Sequence, residues 1–162
     1  MSKNLKYFMR ESAKTESVVT VPGVETIKDE NGNVVPLKIK VLSMESIEKI
    51  NDAYHTRTIA MDKKGRPYTN AGNVVFKDER DAEKASAHII VEALVDPNLK
   101  DPEIMRFFDC VDVTEMPRKV FSRADEYSYV IRTVMSVLGM GDDISEDEQI
   151  AADEEEINDA KN

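Results

Sequence analysis

Residues 28–40, KDENGNVVPLKIK, contain a turn followed by an alternating strand, and this stretch decides how the N-terminal part of the chain folds. Asn31-Gly32 supplies the positive-φ residues that a tight hairpin turn prefers. Apolar residues then alternate with lysine through LKIK, and period-two alternation predicts a half-buried strand. The valine-rich run at 18–27 predicts its partner strand. We therefore predict a β-hairpin region over residues 17–42.

Helical spacing replaces this alternation after residue 42. Ser43 is a predicted N-cap, and the apolar residues that follow share one helical face: Met44, Ile47, Ile50, Tyr54 and Met61. Gly and Pro residues predict a loop over 63–76, and a second helix is predicted over 77–95. The end of this second helix, IIVEALV at 89–95, is apolar almost all round, which predicts the central buried helix of the fold.

Three shorter helical segments are predicted in the C-terminal part of the chain. Asp101-Pro102 predicts the start of a helix over 102–110, because Asp is a good N-cap and Pro fits the first helical position. Thr114 is a predicted cap for the next helix, and Gly139 is a predicted C-terminal cap for the last. These two helices cover residues 115–122 and 123–138.

The net charge of −10 in this 162-residue chain is concentrated at one end. Residues 1–140 hold 22 acidic and 21 basic side chains, a net of −1, whereas residues 141–162 hold 10 acidic side chains and one lysine, a net of −9. We predict one domain over 1–140, helical from 43 onward, and a disordered acidic tail over 141–162. The predicted fold class is mainly α (α+β), with an N-terminal β-hairpin element.

Composition excludes several functional classes. Lys and Arg are not clustered as phosphate contact requires, so nucleic-acid binding is not expected. No run of 18 apolar residues occurs, which argues against a membrane span. The single cysteine, Cys110, excludes an intramolecular disulfide or a multi-cysteine zinc site, and its apolar neighbours predict a packed thiol.

Three groups of residues contain side chains that could form a metal or catalytic site. The first has helical spacing and comprises Glu45, Glu48, Asp52 and His55; a solvated helix face is favoured over a metal site. His88 and Glu92 lie four apart, and a structural contact is favoured over a general base. The loop from Asp29 to Gly32 lacks the sixth-position Gly and twelfth-position Glu of a calcium loop. No catalytic, metal or cofactor site is predicted, and no enzyme activity.

The order of three features resembles that in the XkdN-like phage tail assembly chaperones of Gram-positive phages and prophages. The features are the hairpin at 28–40, the connector ALVDPNLKDPEI at 93–104 and the closing helix around 124–127. The resemblance covers roughly residues 1–140, and the acidic tail departs from it. It implies a protein of the host cytoplasm that is absent from the mature virion. Such a chaperone would bind the tape measure protein, keep it soluble and recruit major tail tube subunits.

Apolar residues of the last helices are the predicted partner-binding surface. They are Phe107, Phe108, Met116, Phe121, Tyr127 and Ile131. Self-association fits the same role, because coating a long partner requires many copies. A structural tail completion or connector protein is the alternative, and an acidic inhibitor that mimics nucleic acid is a third class.

Overall fold

The computed structural model describes residues 4–13 and 15–140. Within them, the helices are α1 (Leu5–Phe8), α2 (Met44–Ala53), α3 (Ala82–Ala93), α4 (Pro102–Phe107), α5 (Met116–Val120) and α6 (Ala124–Val137). The strands are β1 (Val18–Val21), β2 (Leu37–Lys40), β3 (His55–Ile59), β4 (Thr69–Asn70), β5 (Asn73–Val74), β6 (Phe76–Arg80) and β7 (Leu94–Asp96). Short 3₁₀ turns lie at Glu11–Ala13 and Val113–Glu115.

The predicted hairpin is confirmed as part of a three-stranded antiparallel sheet with the order β1-β2-β7. Val19 pairs with Ile39, and the Asn-Gly turn places Gly32 at φ +79°. Asp29 closes this turn, because its carboxylate accepts hydrogen bonds from the backbone N–H groups of Asn31 and Asn33, each at 2.9 Å. The sequence predicts a β element of two or three strands, but it does not identify residues 94–96 as the third. The sequence placed residues 94 and 95 at the end of a helix, whereas Leu94 pairs with Ile39 across the sheet.

Helix α3 is the central element of the core, as the apolar run at 89–95 predicted. Ile90, Val91 and Ala93 are fully buried, and α3 packs against α2, α5, α6 and the sheet. Alternating side chains of β2 cover the same core, since Leu37 and Ile39 point inward while Lys38 stays exposed. One apolar cluster therefore joins the hairpin region to the helices.

Residues 55–80 form an exposed β arm between α2 and α3. Strands β3 and β6 form an antiparallel ladder of five residue pairs, and every residue of both strands is exposed. The chain then branches into two small hairpins, one with a bridge between Met61 and Pro67 and one formed by β4 and β5. A three-way ring of backbone hydrogen bonds joins the branches: Ala60 donates to Val75 at 2.9 Å, Val75 to Tyr68 at 2.9 Å, and Tyr68 to Ala60 at 2.7 Å.

The β arm corrects three predictions. The first long helix was expected to reach Met61 but ends at Ala53, the loop predicted over 63–76 contains hairpins, and the second helix begins at Ala82 instead of residue 77. Met61 fits a helical period by coincidence of spacing. The stretch Thr-Arg-Thr-Ile in β3 is rich in β-branched residues, and its pairing with β6 outweighs the weak helical pattern.

Three local signals for helix ends are confirmed, at Ser43, Asp101 and Gly139. The side chains of Ser43 and Asp101 cap α2 and α4 as predicted. Gly139 has φ +76° and ends α6. Two backbone hydrogen bonds close this end of the helix: Gly139 N–H donates to Ser136 O, and Met140 N–H donates to Met135 O. Thr114 is not a cap: Asp112 accepts its N–H at 3.0 Å and caps the 3₁₀ turn.

The fold is a mixed α+β structure, with 41% helix and 21% strand in the part of the chain that the structure describes, so the prediction of a mainly α chain is only partly right. The strands that the sequence did not predict lie in the β arm and at β7. Within the part of the chain that the structure describes, no helix is both long enough and apolar enough to span a bilayer. The predicted acidic tail, 141–162, lies outside the described residues.

Candidate partner-binding surface

The β arm carries a group of exposed apolar side chains. Ile59 and Phe76 face each other across the ladder, with 45% and 49% of their surfaces exposed. Exposed apolar residues continue at the branch point and beyond it: Met61, Tyr68 and Val74. Single exposed apolar residues are common on soluble proteins, but a group on one projecting element is typical of an interaction surface.

A cation lies over the apolar pair of the arm. The guanidinium of Arg57 lies 4.4 Å from the centre of the Phe76 ring, and Asp78 is the cross-strand neighbour of Arg57. Stacking of this kind contributes roughly 0.5–1 kcal/mol at an exposed site. It also holds the Phe76 ring in place, so the surface is ordered before any partner binds.

The base of the arm is tied to the helical body. Arg80 Nη2 donates to Asn51 Oδ1 of α2 at 2.5 Å, and Asp81 N donates to the backbone oxygen of Tyr54 at 3.1 Å. Asp81 also caps α3, because its carboxylate accepts the N–H of Lys84 at 3.1 Å. The arm therefore extends from a fixed point between two packed helices, although none of its residues belongs to the core.

A second exposed apolar group lies near the N-terminus. The spacing of Leu5, Phe8 and Met9 predicts a short amphipathic helix there, and α1 confirms the helix, but no residue of it is buried. Tyr7, Phe8 and Met9 are among the most exposed apolar residues of the described chain, and Lys6 lies 5.1 Å from the centre of the Tyr7 ring.

The structure distributes the six predicted partner-binding residues over different environments. Phe107 is 80% exposed and makes an edge-to-face contact with Phe108, which is half-buried. Tyr127 and Ile131 are half-buried against the core, whereas Met116 and Phe121 are fully buried. In this conformation Phe107 is therefore the member of the set that offers a partner most of its surface.

A chain of polar contacts links α2, α3 and the loop before α4. Tyr54 Oη and His88 Nδ1 share a hydrogen bond of 2.8 Å, and His88 Nε2 lies 3.5 Å from Glu92 Oε1. Glu92 in turn pairs with Lys100 Nζ at 3.0 Å. The predicted contact between His88 and Glu92 is confirmed, and its partners extend it into a structural link between three elements.

The groups around Tyr54 and Glu92 shift the pKa values of these two side chains. Burial raises the pKa of Tyr54, and the carboxylates of Asp112 and Asp81 raise it further. Burial also tends to raise the pKa of Glu92, but the hydrogen bonds and charge of Lys100, helped by His88, outweigh it and hold that pKa below its ordinary value of 4.5. Glu92 is therefore ionised at neutral pH, and the link is an ion pair.

We predict that Lys100→Gln removes a pH-dependent part of the stability. Because the pKa of Glu92 is depressed in the folded chain, its stabilising contribution is present above pH 4.5 and is lost as the pH falls through the folded value. The variant should lose about 0.5–1 kcal/mol at pH 7 and a smaller amount at pH 4, as measured by urea denaturation. Lys49→Gln is the control, since its pair with Glu45 is far more exposed. Equal losses for Lys100→Gln at both pH values would contradict the assignment.

The groups weighed as metal or nucleophilic sites have structural positions. His55 begins β3, so it does not share a helix face with Glu45, Glu48 and Asp52 of α2. Nowhere in residues 4–13 and 15–140 do three His, Cys, Asp or Glu side chains group as a metal site. The Cys110 thiol is buried, as predicted, and donates to the backbone oxygen of Asp112 at 3.1 Å.

Sequence reasoning missed the apolar residues of the arm. One available signal was the alternation of Thr56, Arg57, Thr58 and Ile59, which fits a strand better than a helix. A second was Ala71-Gly72, a turn dipeptide in which both residues adopt positive φ. Together they would have indicated a hairpin at 69–74 and paired strands outside it.

Comparison with known proteins gives consistent results along the whole chain. The family described as phage XkdN-like tail assembly chaperone protein matches residues 5–156. The uncharacterised protein YqbN of Bacillus subtilis (strain 168) is 27% identical over 148 residues, which cover 91% of this chain and 92% of YqbN. The phage-like element PBSX protein XkdN of the same strain is 24% identical over 148 residues, or 91% of this chain and 93% of XkdN.

The fold has a counterpart among solved structures. The crystal structure of the protein YqbN superimposes with a TM-score of 0.64 at 22% identity, covering 86% of this chain and 98% of that one. The family match corrects one prediction, because it runs to residue 156 and so includes most of the acidic segment that was thought to depart from the family. The match over residues 5–156 shows that the chain belongs to the family of XkdN-like phage tail assembly chaperones.

Proposed function

We propose that this chain binds the tape measure protein during tail assembly, keeps it soluble and helps to recruit major tail tube subunits. A role in phage tail assembly follows from the family. The two partners are what the sequence resemblance implies. The proposed role is non-enzymatic, acts in the host cytoplasm and leaves the protein absent from the mature virion.

The observation that supports binding is the exposed apolar surface of the β arm. A long helical protein exposes apolar stripes until its tube encloses it, and such stripes aggregate in water. Ile59, Tyr68 and Phe76 offer apolar area that lies outside the core, so binding does not require the core to open. The stacked Arg57 adds a cation beside this area.

The backbone of the arm adds a second mode of attachment. Strands β3 and β6 form a two-stranded sheet, so the outer edge of each strand has no neighbouring strand among the described residues. Unpaired edges can add a strand of another protein, whereas the apolar side chains can receive a helix. The arm is thus suited to partners that present either kind of segment.

We predict that the double substitution Ile59→Ser and Phe76→Ser weakens binding to the tape measure protein about tenfold or more. Burying a large apolar side chain contributes about 1.5–3 kcal/mol, the two side chains are each about half available, and 1.4 kcal/mol is a factor of ten. The assay is co-expression with the tape measure protein, with the soluble fraction of the latter and the dissociation constant as readouts.

Two single variants give the controls. Val111→Ser removes an apolar side chain that is 94% exposed but lies outside the arm, and it should leave binding unchanged. Phe107→Ser tests the surface predicted from the sequence. Loss of binding for Phe107→Ser and not for the arm variant would assign the partner to the last helices. Unchanged urea midpoints are required of all three variants.

Purified particles distinguish the chaperone from the alternative, a structural tail completion or connector protein. A chaperone should be missing from virions and present in lysates before tail completion, as quantified by mass spectrometry. A stoichiometric copy number in virions would assign the chain to the structural class. Sedimentation of the free protein and of the complex would establish whether several copies coat one partner.

A further inference from the structure

The outer part of the β arm is strongly basic. Residues 57–77 contain five basic side chains and one acidic side chain, a net of +4. Because residues 1–140 have a net of −1, the remainder of that range has a net of −5. The whole arm, residues 55–80, has six basic and three acidic side chains, a net of +3, so net positive charge lies on the same element that carries the exposed apolar group.

Lys77 pairs with Glu79 at 3.1 Å, and the other four cations have no ion-pair partner among the residues that the structure describes. Three of these four lie together in the hairpin closed by Met61 and Pro67, and they are Lys63, Lys64 and Arg66. The acidic residue beside them, Asp62, uses its carboxylate to accept the backbone N–H groups of Lys64 and Arg66, each at 2.9 Å. The end of this hairpin thus presents positive charge to an acidic ligand.

The chain itself contains an acidic segment with matching chemistry. Residues 141–162 hold ten Asp and Glu side chains and one lysine, and isoleucines recur among them at Ile144, Ile150 and Ile157. The carboxylates complement the lysines of the arm, and the isoleucines complement its exposed apolar residues. Both kinds of contact are available on the β arm.

Covalent geometry allows the two to meet. The acidic segment follows directly after the end of α6, and 22 residues span up to about 75 Å when extended. A folded domain of 140 residues has a radius of gyration of about 14 Å. Attachment to the same chain also gives the segment an effective concentration in the millimolar range, which favours this contact over one between separate molecules.

We propose that the acidic segment 141–162 docks on the outer β arm, residues 57–77, of the same chain. The docked segment covers Tyr68 and Phe76 and pairs with the cations of the hairpin closed by Met61 and Pro67. In the free protein this contact masks the apolar surface. A partner that offers a larger apolar area displaces the segment. The same surface is therefore covered by the segment in the free protein and by the partner in the complex.

A single tryptophan tests the contact, since the chain contains none of its own. Tyr68→Trp in the full chain places the fluorophore on the arm, where docking shields it from water and shifts its emission to shorter wavelength. Raising the salt from 0.01 M to 1 M shortens the screening length from about 30 Å to about 3 Å. We expect the emission to move to longer wavelength over this range, as the segment is released.

Two further full-length variants complete the test. Replacing the ten acidic residues of 141–162 by their amides should give long-wavelength emission at all salt concentrations, and Lys63→Gln, Lys64→Gln and Arg66→Gln together should remove most of the salt response. Phe107→Trp, outside the arm, should not respond to salt. An emission maximum of Tyr68→Trp that is the same with and without the acidic charges would overturn the proposal.

Zero-length coupling of lysine amines to carboxylates establishes which chain the segment binds. Links from Lys63 or Lys64 to residues 141–162 within monomers support docking inside one chain. If the contact joined two copies, about half of the links formed in an equal mixture of isotopically light and heavy protein would connect a light chain to a heavy one, and this result would overturn the proposal as stated.

Discussion

Phe121→Ala should destabilise the protein by about 3–5 kcal/mol, one of the largest effects expected of a single substitution. Phe121 is 1% exposed and belongs to the core cluster together with Met116 and Val130. Removing its ring leaves a cavity that the neighbouring side chains fill only in part. Urea denaturation should report the loss, and the melting temperature should fall by roughly 6–20 °C.

Phe107→Ala is the matched control for this experiment. It removes the same side chain from a position that is 80% exposed, so the stability should change by no more than about 0.5 kcal/mol. The two variants separate a core role from a surface role for residues that the sequence placed in one predicted surface. Similar losses for both would show that Phe107 is covered in solution and would contradict the fold at α4.

Gly23→Ala should destabilise the protein by about 3 kcal/mol or more. A Cβ atom at position 23 would lie 1.7 Å from the backbone oxygen of Val35 and 2.9 Å from its carbonyl carbon. Backbone atoms cannot move aside as a flexible side chain does, so the loop between β1 and β2 has to shift. That loop is fixed to α6, since Tyr129 Oη donates to Pro22 O at 2.7 Å and Thr26 Oγ1 donates to the Glu126 carboxylate.

Gly32→Ala distinguishes close packing from backbone strain. Gly32 has φ +79°, and nothing lies within 4 Å of the Cβ position, so alanine should cost only about 1–2 kcal/mol for the left-handed backbone. Circular dichroism during urea titration measures both variants. A loss for Gly23→Ala no larger than that for Gly32→Ala would contradict the close approach of residues 23 and 35.

Short-range signals account for the elements that were predicted correctly. Ser43, Asp101 and Gly139 act on backbone groups within a few residues of themselves, so their effect can be read without knowing what packs nearby. The Asn-Gly turn is equally local, because its positive φ is a property of the dipeptide. The apolar run at 89–95 predicted burial because a helix that is apolar all round has no face for water.

The β arm needed information that no short window contains. His55–Ile59 becomes a strand because Phe76–Arg80 pairs with it, and the two are separated by 16 residues that form their own hairpins. The spacing of Tyr54 and Met61 fits a helix equally well over that window. Pairing of β7 with β2 has the same character, since α2, the arm and α3 separate Leu94 from Ile39 in the sequence.

Sequence by itself determined the family, the uneven distribution of charge, the first hairpin and the start or end of several helices, because each depends on composition or on groups a few residues apart. Tertiary structure alone decided which apolar side chains are covered. Phe107 and Phe121 have the same side chain, yet one is 80% exposed and the other 1%. Burial depends on elements that are distant in the sequence. The candidate binding surface in the structure is therefore the β arm, whereas the sequence predicted the last helices.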